Sequence, residues 1–238
     1  GKDTVTVYKR PLIGIISTGD EVVAVHESPG PGQIRDVNTY TLSGLIQEIG
    51  ATAIRFGIVH DDYEALLAKS AQALAQCDMV LVSGGSSVGA RDFTIDVITA
   101  LEDSEILFHG ISISPGKPTI LARVRNKAFW GLPGHVVSAM VVFSRIVKPF
   151  IEHVSGRTDV HRKKMRLTAK LSRNLASAQG RVDYTRVRLK HKEGVLWAEP
   201  ILGKSGLIST MVKADGLIEI GMNIEGLDEG TQVEVILV

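Results

Sequence analysis

One stretch fixes the frame into which the rest must fit. Met79–Val82 is a short apolar run that stops abruptly at Ser83-Gly84-Gly85-Ser86-Ser87-Val88-Gly89. After Arg91-Asp92 the apolar residues recur at helical spacing (Phe93, Ile95, Val97, Ile98, Leu101). A buried strand, a small-residue loop and a helix start therefore fall within fourteen residues. Glycines at 84, 85 and 89 let backbone come close to a ligand, and loop amides beside a helix start favour an anion. The same residues also suit a plain tight turn with Asp92 as the helix cap. Neighbouring segments bear on that choice.

Leu12–Ile16 is another short β-type run, followed by the polar loop Ser17-Thr18-Gly19-Asp20-Glu21. Glu27–Gln33 is a Pro/Gly loop unsuited to regular structure. Asn38 is expected to cap a helix over Thr39–Ile49, ended by Gly50. Ala53–Val59 reads as a strand ending at His60-Asp61-Asp62, with Asp62 capping a helix through Gln76. Strand and helix alternating at this spacing predict βαβ units and a mostly parallel sheet covered on both faces. In such sheets ligands sit beyond the carboxyl ends of the strands, so the three polar loops should share one rim. They bring Glu21, Asp61 and Asp92, and convergent carboxylates need a cation or donors to offset their repulsion. With anion-type loops beside them, Mg²⁺ bridging to a phosphate is the economical occupant, although each acid could also merely cap its own helix.

Farther on, Glu105–Ile113 reads as strand-like and leads to Ser114-Pro115-Gly116-Lys117-Pro118, which presents Lys117 on a fixed loop. Thr119–Val124 and Lys127–Trp130 flank a hairpin turn at Arg125-Asn126. Gly131-Leu132-Pro133-Gly134-His135 then opens a long apolar helix, Val136–Val154, and His135 is expected to bond to backbone near its cap. Beyond the polar stretch Ser155–Lys163 the pattern changes to alternation: Met165–Leu171, Val182–Leu189, Val195–Ile201, Leu217–Ile220 and Gln232–Val238. With glycines at 180, 194, 203, 216, 226 and 230 as turns, this predicts a small β-barrel or sandwich.

Charge and cysteine content narrow the classes. The 238-residue chain has a net charge of +1, which argues against a generic nucleic-acid binder. Residues 1–155 hold 13 basic and 16 acidic side chains, residues 156–238 hold 14 and 10, and the run HRKKMR at 161–166 reads as a solvated face. A single cysteine, Cys77, excludes an internal disulfide and reads as structural. No apolar stretch approaches a membrane span, so a cytoplasmic protein is the expectation.

Read together, STGDE, PGQIRDVN, GIVHDD, SGGSSVGARD, SPGKP and GLPGHVVSA resemble the molybdopterin molybdotransferase family (MoeA and the gephyrin E domain), over essentially the whole chain. The resemblance implies a three-layer α/β/α MogA-like domain at about 8–155 and a C-terminal all-β barrel domain at about 163–238. GRVDYTR (180–186) and KSGLISTMVKADGLIEI (204–220) are similar to the family's barrel blocks, with Asp215 where the family usually has Asn. It further implies insertion of molybdate into adenylylated molybdopterin with Mg²⁺ and release of AMP. Glu21, Asp61 and Asp92 would be the catalytic and metal-holding acids. The loop residues Thr18, Gly19 and Asp20, with Ser83, Gly84, Gly85, Ser87 and Gly89, would hold phosphates. Lys117, Pro133, Gly134 and Ser138, with Arg186 and Ser205 of the barrel, would hold the rest of a small-molecule substrate. The family forms homodimers through N-terminal domains that lie outside this sequence. Departures are Ser114 and Gly110 where lysines are usual, and Gly134-His135-Val136 in place of the usual Gly-Asn-X-Pro. A non-catalytic molybdopterin- or nucleotide-binding carrier, sensor or scaffold is the alternative that these departures favour.

Overall fold

The computed structural model describes residues 1–84, 93–157 and 165–238, and they form two compact units. One comprises Gly1–Gly110, Pro118–Gly134 and Val142–His161; the other comprises Ile111–Lys117, His135–Val141 and Arg162–Val238.

The first unit is built on a sheet of six strands in the order Thr52–Val59, Leu12–Thr18, Met79–Ser83, Lys127–Leu132, Ile120–Val124, Ser104–His109. The first four are parallel, and the last two add an antiparallel pair at one edge. The apolar runs give nearly every central position to the core: Met79–Ser83 is buried at all five residues, as a strand covered on both faces must be. On one face Ile16, Val80, Val82 and Phe129 pack against Leu66 and Ala73 of the helix Tyr63–Gln76 and Val97 and Ile98 of the helix Phe93–Ala100. Gly14 lies on that side because a Cβ there would meet Phe56, Cys77 and Ala73 at 3.1–3.4 Å. Trp130 points the other way, edge-on to Phe150 of the helix Lys148–Val154. The helix Asn38–Glu48 contacts the helical turn just before Lys148, so it belongs to the same layer. The result is the expected α/β/α sandwich.

The second unit holds a closed five-stranded barrel. Its strands run Val195–Pro200, Arg166–Leu171, Gln232–Leu237, Gly216–Ile220, Val182–Lys192 and back to Val195–Pro200. Closure depends on the long strand Val182–Lys192. Its first half (183–187) pairs with Gly216–Ile220 and its second half (187–192) with Val195–Pro200. Ala169, Leu171, Val187, Ala198, Ile218, Ile220, Val233 and Val235 fill the interior, at alternate strand positions as period-2 patterning requires.

Several local expectations are corrected. Asn38 does not cap its helix. The residue before it, Val37, occupies the cap position without a side-chain bond, and Asp36 accepts from Thr39 N–H at 3.0 Å instead. The strand expected through Ile113 stops at His109, where Gly110 takes φ +86°, and Ile113–Ser114 pairs separately beside Val182–Asp183 in the barrel sheet. The long helix is continuous but has a π-helical turn at Phe143–Val147. Pro149 follows it, and a residue without an N–H cannot continue the regular ladder. Gly216 and Gly226 lie in strands and not in turns. A Cβ on Gly216 would come within 2.5 Å of Val235 Cγ1, so close strand packing explains that glycine. No helix among the described residues is long and apolar enough to cross a membrane.

Candidate functional site

Parallel pairing brings the ends of four strands flush. Thr18 stands opposite Val59, Ser17 opposite Ser83, and Ser83 opposite Leu132. The loops that follow, beginning at Gly19, His60, Gly84 and Pro133, therefore leave from one rim of the α/β unit, as the sheet rule expects.

On this rim Thr18, Gly19, Asp20, Glu21 and Asp61 come together. Gly19 N–H donates to Val59 O at 3.2 Å, which holds the first two loops side by side. Asp61 N–H donates to Asp20 Oδ1 at 3.0 Å, and Thr18 Oγ1 lies 3.4 Å from Asp61 Oδ1. His60 Nδ1 lies 3.6 Å from the same Asp20 oxygen. The Glu21 carboxylate folds back over Gly19, where a Cβ would sit 2.6 Å from Oε2. Asp62 stands apart from this group: it caps its own helix by accepting from Ala65 N–H at 2.7 Å, as expected.

Gly84 abuts the first loop. Its Cα approaches so closely that a Cβ would clash with the Thr18 carbonyl oxygen, and its φ is +117°. Its N–H donates to Leu132 O at 3.3 Å, which ties Gly84 to the neighbouring strand end. Gly134 lies beside it, with the Gly84 Cα 3.5 Å from where a Gly134 Cβ would stand.

Asn38 is the residue that sequence reasoning assigned the wrong task. Its side-chain amide donates to Ser83 Oγ at 2.6 Å and to Gly134 O at 2.7 Å. One buried amide thus ties the end of Met79–Ser83 to the turn after Lys127–Leu132. Next to it, buried Asp36 accepts from Ser17 Oγ at 3.0 Å. The only clue in the sequence was polarity, Asp-Val-Asn, before an apolar helix, and that pattern reads as a cap. Asn38→Ala is expected to lower stability by about 2–3 kcal/mol, because two hydrogen bonds are lost and the buried Ser83 hydroxyl loses its donor. Asn38→Asp should cost at least as much, since a carboxylate cannot donate to Gly134 O. Thermal denaturation of the three proteins checks both.

The donors on the rim are nearly all oxygen, the type Mg²⁺ takes. Among the described residues, however, no three His, Cys, Asp or Glu side chains stand close enough together to hold a metal ion. The described residues do not by themselves fit the ion. Asp92, Gly85, Ser87 and Gly89 lie outside the described residues.

The remaining expected site residues are in the second unit, apart from Pro133, which is buried at the strand-end turn. Lys117 is exposed and Ser138 is buried. Arg186 is held by the barrel itself: Nη1 donates to Thr210 Oγ1 at 2.9 Å and Nη2 to Gly203 O at 3.0 Å. Burial pushes its guanidinium below the usual arginine range. Ser205 Oγ lies 3.0 Å from His135 Nδ1, so this histidine partners a hydroxyl across 70 residues and not the backbone near its cap. Ser114 bonds to Asp183. Burial alone would raise that carboxyl, but bonds from Ser177, Ala178 N–H, Ser114 and Arg181 hold it below the usual carboxylate range.

With this geometry in hand, the likeness to known proteins is informative. Residues 14–153 match the family model described as "Probable molybdopterin binding domain", and residues 168–238 match "MoeA C-terminal region (domain IV)". A molybdopterin molybdenumtransferase of Haemophilus influenzae is 32% identical over 97% of this chain and 57% of its own length. The Bacillus subtilis protein of the same name is 28% identical over 100% and 55%. The crystal structure of a MoeA molybdopterin biosynthesis protein from Pyrococcus horikoshii superposes with a TM-score of 0.82 at 37% identity, covering 96% of this chain and 54% of that one. The chain thus spans about half the length of these relatives.

Proposed function

This chain belongs to the MoeA family of molybdenum cofactor biosynthesis, matching its C-terminal two domains, and from that premise we propose that its strand-end rim holds adenylylated molybdopterin for molybdate insertion with release of AMP. The observation that carries the reading is the convergence of Thr18, Gly19, Asp20, Glu21, Asp61 and Gly84 at the carboxyl ends of adjacent parallel strands.

In this reading the loop beginning at Ser83-Gly84 receives phosphate groups, because small residues leave backbone and hydroxyl groups open to an anion. Asn38 ties the end of Met79–Ser83 to Gly134, so the start of this loop is fixed relative to the neighbouring turn. Asp61, bonded to Thr18, would exchange a proton as water cleaves the phosphoanhydride and as a molybdate oxygen leaves as water while dithiolene sulfur takes its place on molybdenum. Mg²⁺ at this site would need a further acid beside Glu21 and Asp61, the role the sequence suggests for Asp92. No step is assigned to the ion. Gly134, beside Gly84, bounds the same end of the rim.

The test mixes the chain with adenylylated molybdopterin and molybdate and follows AMP by chromatography. AMP release that falls by about 10²-fold in Asp61→Asn is the expected result. Release unchanged by Asp61→Asn removes the assigned role. Binding of the pterin without any AMP favours the carrier or scaffold reading, to which Gly110 and Ser114 in place of the family's lysines also point.

A further inference from the structure

The barrel carries a concentration of positive charge that the function above does not use. A groove of about 430 Å³ on its surface is walled by Arg173, Arg188, Lys192 and Lys213, with Glu199 as the one carboxylate among the described lining residues. That carboxylate is already engaged, because Lys190 Nζ lies 2.6 Å from Glu199 Oε2. The hydrogen bond from Lys190, with the charges of Lys190, Arg188 and Arg173, holds the Glu199 carboxyl below the usual carboxylate range. The positive field of this wall is therefore felt at the one acid within it.

Both guanidinium groups are set in place by the backbone. Arg173 Nη2 donates to Pro200 O at 2.9 Å, and Arg188 Nε donates to Lys213 O at 3.4 Å. Each spends one N–H on its anchor and keeps others for a ligand, in the rigid fork that matches phosphate oxygens. Lys192 and Lys213 make no ion pair through their ammonium groups among the described residues. Four cations gathered around one concavity repel one another unless an anion neutralises them. The adjoining groove brings in Glu193 and Glu229, which would repel a long polyanion running past. The complementary ligand is compact.

We propose that this groove binds a small, multiply charged phosphate of the diphosphate type, either free or as the diphosphate of a nucleotide. The site lies wholly within the barrel unit and stands independently of the strand-end rim.

Calorimetric titration of the chain at fixed ionic strength, with inorganic diphosphate in one arm and ADP in the other, tests this. Saturable binding in either arm is expected, weakened about tenfold or more in K192Q/K213Q. These two lysines contribute no structural side-chain bond among the described residues, so the variant is expected to fold. R173Q/R188Q should weaken binding further. Diphosphate binding as well as or better than ADP identifies the free anion as the ligand, and tighter ADP binding identifies the nucleotide. Affinity unchanged in K192Q/K213Q, or no saturable heat in either arm, overturns the proposal.

Discussion

Gly84→Ala is expected to lower the thermal midpoint of the chain by roughly 10 °C, corresponding to a loss of about 3–5 kcal/mol. Two costs add. The backbone at Gly84 has φ +117°, a conformation that side-chain-bearing residues adopt only under strain. A Cβ there would also drive into the Thr18 carbonyl oxygen, with Thr18 C and Cγ2 at 3.0 and 3.1 Å, and the first of these is backbone that cannot swing aside. Relief requires Met79–Ser83 and Leu12–Thr18 to part where their ends pair. Gly134→Ala is the control. Its added methyl would meet Gly84 Cα at an ordinary 3.5 Å with no positive φ, so the expected change is under about 1 kcal/mol. Differential scanning calorimetry separates the two, and equal midpoints for both variants would show that the close approach at Gly84 is not what holds the rim together.

Trp130→Ala should be comparably severe, at about 3–5 kcal/mol by urea denaturation. Trp130 is 1% exposed and sits in the middle of the parallel sheet, in register with Leu81 on one side and Leu121 on the other. Its ring is edge-on to Phe108 at 6.1 Å and to Phe150 at 5.6 Å. Removing it leaves a cavity between sheet and helix that rigid strands cannot close. Its indole N–H has no hydrogen-bond partner among the described residues. Trp130→Phe therefore breaks no bond and keeps both ring contacts, and it should cost about a third as much, roughly 1–1.5 kcal/mol. If the phenylalanine variant were as unstable as the alanine one, ring packing would not be the source of the stability.

Much of the fold could be read from local pattern. Met79–Ser83 shows as a strand because a fully buried parallel strand needs an unbroken apolar run. The barrel strands show because each needs one dry and one wet face, and their expected limits fall within a few residues of those observed. The rim was legible for the same reason: once three runs are parallel strands, the loops after them must emerge at one end, while the fourth strand, Lys127–Leu132, was read only as half of a hairpin. Gly110 shows the limit of such reading. The apolar pattern continued through it to Ile113, but the chain turned there and Ile113–Ser114 joined a different sheet.

Side-chain tasks were another matter. Asn38 and His135 both sit where a helix begins, and each was read by that local position. Their partners lie 45, 96 and 70 residues away. Arg186 was expected to hold a ligand, and it makes two bonds to the barrel's own Thr210 and Gly203. The groove lined by Arg173, Arg188, Lys192 and Lys213 left no mark in the sequence beyond scattered basic residues.

The sequence by itself determined the elements, their parallel or alternating character and the end of the sheet where the polar loops gather, because periodicity and turn residues act over a few positions of chain. Only the tertiary structure decided which amide ties a strand end to a turn, which groups Arg186 bonds in its own barrel and which cations share a groove. Those depend on registers between strands far apart in sequence, and a hydrogen bond is made only when such registers bring donor and acceptor within about 3 Å.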